Sequence, residues 1–414
     1  MLHRHSSMNN DCKIAIITPF GAEPRLDHFA EFLLAKKLRA LGHNIQFYTY
    51  RLRSNPQYRK NQLYQGIKVF RCRQRLGIAP GLFFSIIRFR PHVVIFFHPK
   101  SFLSFSAFLA TKFSGAKTIS EIVSILHDPF IVKDTDDPYN SIRSDVRLLT
   151  NWKQLVKSLS SGKFLLSWKN FIYHMPIARA DIIVAIYKEE QYYIQKFYGR
   201  NSVLIHWALP EDSNREQSKP DENIYGKIPE KYLLFIAQIK KRKGWDTALE
   251  ALAVLKNQGM KKNIVFVCPT HDVSAAENYA RKLGVREQIF FLSGVNNEEK
   301  NWLYANSQGV LAPSRYEGFG LPVFEALRAG KPVLTTTIPV YQEILKHEVD
   351  SLLSRPGNAE ELAKNIKTLD DDSSLAAKLV ANGRRTASKY TDTIMTEKFL
   401  TQINKLADTA CITR

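Results

Sequence analysis

The 414-residue sequence has few cysteines, no long apolar run and one long stretch without acidic residues. Its four cysteines, Cys12, Cys72, Cys268 and Cys411, form no C-x-x-C pair. This spacing argues against a zinc site or a disulfide framework and suits a reducing cytosol. No window reaches about 18 uninterrupted apolar residues, so no membrane-spanning helix is expected. The first eleven residues lack the apolar core of a signal peptide, and we expect a disordered leader, with Met8 as an alternative start.

Acidic residues are absent between Glu31 and Glu121, a stretch that holds 16 Lys or Arg. Residues 1–210 carry a net charge of +17, whereas residues 211–414 carry +3. Such one-sided charge is typical of proteins with a polyanionic partner, which can be nucleic acid, an anionic membrane surface or a phosphorylated ligand. A solvated basic face is the alternative. Hydrophobic residues make up 44% and charged residues 24%, ordinary globular values that exclude disordered and fibrous chains.

Short apolar runs alternate with helix-period segments along almost the whole chain, which predicts an α/β fold with parallel sheets. Strands are predicted at residues 13–18, 45–50, 93–97, 118–122, 181–185 and 203–206, and then at 232–237, 263–268, 288–292, 309–312 and 332–335. The segment between them is polar and contains proline, as linkers do. We therefore predict an N-terminal α/β domain over 1–209, a linker over 210–230, a C-terminal α/β domain over 231–390 and a C-terminal helix over 391–414.

The most informative stretch covers residues 312–332 and reads APSRYEGFGLPVFEALRAGKP. A buried strand ends there in a loop with two glycines, and Pro322 favours the start of a helix. The amides of the first helical turn form a positive end that suits phosphate or sugar oxygens, and the glycines let a ligand approach the backbone. Glu317 and Glu325 flank this turn, so both carboxylates are expected to face a ligand.

This stretch resembles the retaining, metal-independent glycosyltransferases of the GT-B fold, the group 1 class, whose hallmark is an E-x7-E element that Glu317 and Glu325 match. The resemblance is strongest from about Tyr232 to Pro356. It implies two Rossmann-like parallel-sheet domains facing across a cleft, with the C-terminal helix crossing back to the N-terminal domain. It also implies that the N-terminal domain binds the acceptor and the C-terminal domain a nucleoside-diphosphate sugar donor, with no metal and no separate cofactor.

The resemblance implies a donor site in the second half of the chain. Glu317 is implied to hold hydroxyls of the transferred sugar, and Glu325 to accept hydrogen bonds from the ribose. Lys243, with Arg242, is implied to neutralise the departing diphosphate. The donor-binding residues implied in this half are therefore Arg242, Lys243, Glu317, Gly318, Phe319, Gly320, Leu321 and Glu325.

Two further residues belong to the N-terminal half. Gly21, in the loop after the first strand, is implied to close over the phosphate, and His127 to touch and orient the sugar, with Asp128 beside it. The implied catalytic residues are Glu317, His127 and Lys243. Gln238 stands where the family often has an arginine, so Arg242 is expected to supply the missing cation together with its neighbour.

The implied function is transfer of a sugar from a nucleoside-diphosphate sugar, of the GDP-mannose or UDP-sugar type, to a glycan or lipid-linked acceptor. Transfer is implied to retain the anomeric configuration and to serve cell-envelope polysaccharide synthesis. Negative charge that builds on the leaving diphosphate is stabilised by pre-placed cations and a helix N-terminus. Two alternatives stay open: an epimerase or phosphorylase of the same fold, and a catalytically silent basic protein that binds membranes or polyanions.

Three basic segments, over residues 51–75, 82–90 and 152–173, interleave cations with aromatic side chains. Such segments suit the headgroup region of an anionic bilayer, with single-stranded nucleic acid as the weaker alternative. Given the resemblance, we expect a cytoplasmic protein that is peripheral on the inner face of the cell membrane. Asp134 and Asp136 have the D-x-D spacing of metal-dependent glycosyltransferases, but they lie in a polar loop and are not expected to bind a metal.

Overall fold

The computed structural model describes residues 12–19, 29–50, 61–72, 79–134, 136–159, 164–211, 216–226, 228–269 and 272–412. The described residues fall into two compact units. The first is drawn from Met1–Ile131, Arg143–Glu211 and Thr391–Arg414, and the second from Val132–Ile142 and Asp212–Tyr390. The predicted leader and Gly21 lie outside the described residues. Within these ranges, no helix has the length and apolar character needed to cross a membrane.

The described part of the first unit is built on an eight-stranded sheet. Its strands are β1 (Lys13–Ile17), β2 (Asn44–Tyr50), β3 (Gln62–Tyr64), β4 (Ile67–Cys72), β5 (Val93–Phe97), β6 (Lys117–Ile122), β7 (Ile182–Ala185) and β8 (Val203–Leu204). They lie in the order β3-β4-β2-β1-β5-β6-β7-β8, and all neighbours are parallel except β3 and β4. The central strands are apolar throughout because helices cover both faces of a parallel sheet.

Six helices of the first unit lie between its strands in the chain. They are α1 (Ala30–Ala40), α2 (Pro80–Phe89), α3 (Phe102–Ser114), α4 (Trp152–Leu159), α5 (Phe164–Ala178) and α6 (Lys188–Tyr198). Among the described residues, α4 and α5 follow one another without a strand between them. Phe105 and Phe108 of α3 and Phe171 of α5 are buried in one core cluster with Phe96 of the sheet. This cluster fixes α3 and α5 against the carboxyl half of β5.

The second unit contains, among its described residues, a six-stranded parallel sheet. Its elements are α7 (Glu222–Tyr225), β9 (Leu233–Ile236), α8 (Trp245–Asn257), β10 (Ile264–Cys268), α9 (Ser274–Lys282), β11 (Ile289–Ser293), α10 (Asn297–Asn306), β12 (Gly309–Ala312), α11 (Leu321–Arg328), β13 (Val333–Thr336), α12 (Pro339–Ile344), β14 (Leu352–Ser354), α13 (Ala359–Asp371) and α14 (Ser373–Ala387). The order is β11-β10-β9-β12-β13-β14. The chain leaves β9 toward one sheet edge and β12 toward the other, so the two form a topological switch point.

The last helix, α15 (Asp392–Ile412), returns to the first unit and packs on α1, β5 and β6. Its start is joined to that unit by the backbone, because the Asp392 amide donates to the Leu209 carbonyl at 3.0 Å. Farther along, the ring of Phe399 lies 5.8 Å from that of Phe97. The predicted fold class, two parallel-sheet α/β units with a returning C-terminal helix, is confirmed.

The structure adds two features that the sequence interpretation did not contain. Strands β3, β4 and β14 were not predicted, because β3 and β14 are three residues long and β4 alternates apolar side chains with cations. Residues 132–142 were assigned to the N-terminal domain, whereas the structure places them in the second unit. This assignment is corrected because the segment closes on itself through an antiparallel bridge between Val132 and Ile142 and packs against second-unit residues.

Glu31, in the first turn of α1, should make the stability of the first unit depend on pH. Its side chain is 2% exposed, Thr18 donates to one of its oxygens at 3.0 Å, and burial raises the pKa of Glu31 to about 7. Because the folded pKa exceeds the unfolded value, this group's stabilisation is present below pH 4.5 and is lost as pH rises through about 7. Glu31→Gln should therefore stabilise the fold at pH 8, by on the order of 3 kcal/mol, and much less at pH 5.

Urea unfolding of wild type and Glu31→Gln at both pH values measures this effect. Glu287→Gln, at an exposed carboxylate, is the control and should change little at either pH. Equal effects of Glu31→Gln at pH 5 and pH 8 would contradict the assigned titration.

Candidate active site

The candidate site lies where two neighbouring strands of the second sheet end. After β9 the chain passes through a 3-10 turn, Lys241–Lys243, into α8, and after β12 it passes through residues 313–320 into α11. Because β9 and β12 are parallel and adjacent, both loops emerge at the same sheet edge. The Arg315 amide donates to the Arg242 carbonyl at 2.8 Å and joins the loops directly.

An ion pair between Lys243 and Glu317 occupies the centre of the site. The Lys243 ammonium lies 2.6 and 2.7 Å from the two carboxylate oxygens of Glu317. Ser314 donates its hydroxyl to the same carboxylate at 2.8 Å, and the Arg242 guanidinium lies 3.6 Å away. The side chains of Lys243 and Glu317 are only 16% and 9% exposed. Residues that are 74 positions apart in the chain thus share one buried contact.

Electrostatics keep the Glu317 carboxylate ionised. Burial alone raises its pKa, but Lys243 and Arg242 outweigh burial and hold the pKa of Glu317 below its usual value. Burial lowers the pKa of Lys243, with further lowering by Arg242 and Lys240 and an opposing effect of Glu317. Two cations, Lys243 and Arg242, therefore lie next to the Glu317 carboxylate, and the loop, which also contains Lys240 and Lys241, retains positive charge beyond what Glu317 neutralises. Such an excess suits a diphosphate.

Helix α11 begins four residues after Glu317. Gly320 precedes the helix with a φ of 84°, and a Cβ at this position would lie 2.3 Å from the Tyr341 hydroxyl. Only glycine combines this backbone conformation with that approach. In the first turn of α11, Pro322 has no N–H and the Val323 amide donates to the Gly320 carbonyl at 2.9 Å, so the positive charge at this helix end comes from the helix dipole and the Leu321 amide.

Glu325, the second glutamate of the E-x7-E element, is held by α10. Lys300 donates to one of its oxygens at 2.9 Å and Tyr304 to the other at 2.8 Å. Sequence interpretation did not include these partners, although their i, i+4 spacing on one helix indicates a shared face. Both carboxylate oxygens of Glu325 are thus held by side chains of α10.

His127 and Asp128, the residues predicted in the first half of the chain, lie in the first unit. His127 ends a 3-10 turn after β6 in the first unit and is half-buried. Asp128 is 1% exposed and lies 3.1 Å from the Lys100 ammonium and 3.6 Å from His174. His174 was not predicted; burial lowers its pKa to about 4, and its other ring nitrogen lies 2.7 Å from the Tyr198 hydroxyl. Asp128 therefore belongs to a buried polar network, and the sugar contact implied for His127 stays a prediction.

The segment of the chain that matches a known protein family lies in the second unit. Residues 214–386, which include Lys243, Glu317 and Glu325, match the family described as glycosyl transferases group 1. An uncharacterized glycosyltransferase of Methanocaldococcus jannaschii is 30% identical over 157 residues, 38% of this chain and 40% of that protein. The lipopolysaccharide glucosyltransferase WaaG of Escherichia coli K12 is 30% identical over 200 residues, 47% of this chain and 52% of that protein. The matched part thus spans about half the length of these relatives.

Solved structures resemble nearly the whole chain. The crystal structure of Anabaena Alr3699/HepE in complex with UDP-glucose has a TM-score of 0.67 at 17% identity and covers 95% of this chain and 99% of that one. The crystal structure of WaaG has a TM-score of 0.64 at 18% identity, with 94% and 99% covered. At these identities the likeness concerns the fold, which is GT-B. Residues 214–386 thus resemble the group 1 glycosyltransferases in sequence.

Proposed function

We propose that the chain transfers a sugar from a nucleoside-diphosphate sugar to a glycan or lipid-linked acceptor, with retention of anomeric configuration and without a metal, in cell-envelope polysaccharide synthesis. The observation that carries the proposal is the buried contact of Lys243 with Glu317 at the N-terminus of α11. Two similarities support it: WaaG is a lipopolysaccharide glucosyltransferase, and Alr3699/HepE was crystallised with UDP-glucose.

The positive charge of this site stabilises the negative charge that the proposed reaction creates. When the bond between the anomeric carbon and the diphosphate oxygen breaks, negative charge builds on the leaving group. An ammonium has three N–H donors, and Glu317 occupies two of those of Lys243, so one is left for the diphosphate. Arg242 and the positive end of the α11 dipole add further positive charge. The acceptor oxygen forms the new bond on the face that the diphosphate leaves, and its proton passes to a diphosphate oxygen.

Donor binding tests the proposal. The chain should be melted with UDP-glucose, UDP-galactose, UDP-N-acetylglucosamine and GDP-mannose in turn. One of them should raise the melting temperature, because a ligand that binds only the folded state stabilises it, and it should slowly release its nucleoside diphosphate. If the same donor is instead converted to an epimer or a sugar phosphate, the epimerase or phosphorylase alternative applies. Failure of all four donors to bind would refute donor recognition of this type.

We also propose that the first unit binds an anionic membrane surface at the cytoplasmic face. Among the described residues, seven of the eleven exposed large hydrophobic side chains lie on α2 to α5, namely Phe84, Phe113, Trp152, Val156, Phe164, Leu165 and Leu166. Helix α2 packs on α3, α3 on α5 and α4 on α5, so these side chains belong to one helical layer. An exposed apolar group of this kind typically marks an interaction surface.

The charge of this layer complements anionic lipid. Helices α2 to α5 contain no acidic residue, and they carry the cations Arg88, Lys112, Lys153, Lys157 and Lys169. Each cation near an anionic bilayer contributes about 1 kcal/mol. Most of the first basic segment, namely residues 51–60 and 73–75, lies outside the described residues. The described helices therefore support membrane binding without it.

Membrane binding should depend on the exposed side chains of α4 and α5. Trp152→Ser with Leu165→Ser should reduce sedimentation with phosphatidylglycerol-containing liposomes about tenfold or more, since two large apolar contacts of roughly 1.5–3 kcal/mol each are removed. Tyr192→Ser is the control, because Tyr192 is a 59% exposed aromatic on α6, outside this layer. Unchanged sedimentation of the double variant, or no sedimentation of wild type at low salt, would exclude this surface.

A further inference from the structure

A cavity of about 500 Å³ lies in the second unit. It is next to the loops after β9 and β12, which carry Lys243 and Glu317 and are called the donor loops below. Its lining includes Asp137, Tyr139 and Asn140 from residues 132–142, Lys241 and Arg315 from the loops after β9 and β12, and Pro339 at the start of α12. The volume is within the range of small-molecule sites, roughly 300–1,000 Å³. Apart from Arg315, whose backbone amide joins the two loops, these residues have no role in the site of Lys243 and Glu317 described above.

Residues 132–142 are attached to the donor loops at two points. The Arg242 amide donates to the Asp136 carboxylate at 3.3 Å, and the ring of Tyr139 lies 5.5 Å from that of Tyr316 at an angle of 76°. Arg242 and Tyr316 immediately precede Lys243 and Glu317 in the chain. Along each loop, one residue separates a residue that lines the cavity, Lys241 or Arg315, from the ion pair of Lys243 and Glu317.

The charges in the cavity do not suit a phosphate. Arg315 binds Asp246 through two hydrogen bonds of 2.7 and 3.0 Å, so these two charges offset each other. The other charged groups in the lining are Asp136, Asp137 and Lys241, which leave a net negative charge. An anionic ligand is repelled here, whereas the donor loop beside it has a positive excess. The two neighbouring sites therefore select ligands of different charge.

The lining has the chemistry of a site for sugar hydroxyls. Carboxylates accept hydrogen bonds from vicinal hydroxyls, and the Asn140 amide both donates and accepts. Asn140 also donates to the Asp137 carboxylate at 3.2 and 3.3 Å, which orients that group and leaves lone pairs for a ligand. Tyr139 and Pro339 supply apolar surface for the C–H face of a pyranose ring.

We propose that this cavity binds an uncharged sugar ring of the acceptor. The proposal rests on the proposed glycosyltransferase function and deepens it, because it assigns part of acceptor recognition to the donor-binding unit. Asp137 and Tyr139 are the specificity-determining residues: Asp137 accepts hydroxyls of the acceptor ring, and Tyr139 contacts its C–H face.

Saturation-transfer NMR tests this assignment with defined probes and without turnover. The full chain is mixed with methyl α-D-glucopyranoside, methyl α-D-mannopyranoside and methyl β-D-galactopyranoside in turn, in the absence of donor. At least one glycoside should give a signal that Tyr139→Ala and Asp137→Asn weaken about tenfold, the loss of one good polar or stacking contact. Tyr139→Phe keeps the ring and should retain most of the signal. Asp371→Asn, at an exposed aspartate at the end of α13, is the matched control and should leave it intact.

The outcomes separate this inference from the proposed function. Glu317→Gln, which we expect to be defective in turnover, should keep the glycoside signal, because the cavity does not include Glu317. A wild-type chain that binds a nucleotide sugar but none of the glycosides would overturn the inference and leave the transferase proposal intact. Displacement of the glycoside by inorganic pyrophosphate, or an undiminished signal in Tyr139→Ala, would also overturn it.

Discussion

Lys243→Met should lower nucleotide-sugar turnover about 10²–10³-fold, the usual effect of removing one group that stabilises developing charge. It should also destabilise the fold by about 3 kcal/mol, because it leaves the 9% exposed Glu317 carboxylate without its closest cation. Ser314 at 2.8 Å and Arg242 at 3.6 Å keep the loss at the low end of the range for broken buried pairs. Initial rates with the donor that binds best and urea unfolding measure the two effects.

A second substitution separates stability from catalysis. Glu317→Gln removes the unpaired charge, so the double variant Lys243→Met with Glu317→Gln should regain most of the lost stability but no activity. Because the pKa of Glu317 is lowered in the folded state, its stabilisation is present above pH 4.5 and is lost as pH falls through the folded value. The double variant should lack this acid-dependent loss. Arg281→Met, which breaks an exposed i, i+4 pair of 3.7 Å, is the control and should cost less than about 0.5 kcal/mol.

Two outcomes would contradict this assignment. Turnover by Lys243→Met within a few-fold of wild type would remove Lys243 from the charge-stabilising machinery. Failure of the double variant to regain stability would show that the cost of Lys243→Met comes from packing and not from an unpaired carboxylate.

Gly244→Ala should be among the most destabilising single substitutions in the second unit, at about 3 kcal/mol or more. Gly244 has a φ of +72°, and a Cβ there would lie 1.9 Å from the Pro313 carbonyl oxygen and 2.7 Å from its carbon. Both contacts are with backbone, so no side chain can rotate away. Relief of the clash requires the loop after β9 to move away from the loop that carries Glu317.

Gly259→Ala is the matched control for this prediction. Its φ is +79°, nearly that of Gly244, but no atom lies within 4 Å of a Cβ there. It should cost only the left-handed backbone penalty, about 1 kcal/mol. Urea unfolding of both variants isolates the steric contact, and donor hydrolysis should fall in Gly244→Ala alone. Equal destabilisation by the two substitutions would mean that the Pro313 contact carries no cost.

Local patterns predicted most of the sheet but not the pairing of its parts. The bounds predicted for β5 and β12 equal those in the structure, because each is an apolar run that ends at a polar or turn-forming residue. Residues 132–142 were assigned to the wrong unit because their sequence contains no such local pattern. Their composition is that of any polar loop, and their membership of the second unit depends on contacts with Arg242 and Tyr316, more than 100 positions along the chain.

Some features of the candidate site were recognisable from the sequence, and others depend on the packing of the elements. The glycine-containing loop, the proline at the helix start and the two glutamates were recognisable from the sequence, because their spacing within 312–332 is a local property. The partners of Glu325 on α10 and the hydroxyl of Ser314 on Glu317 were not recognised, since each depends on how elements pack.

By itself, the sequence determined the α/β alternation, the excess of basic charge in the first half and the residue types of the donor loops, because these follow from composition and short spacings. Only the tertiary structure decided that Lys243 meets Glu317, since that contact requires β9 and β12 to be neighbours in the sheet. It also decided where the scarce acids of the basic half lie: Glu31 and Glu121 are buried. Strand order and burial result from the packing of the whole chain, and no local segment encodes either.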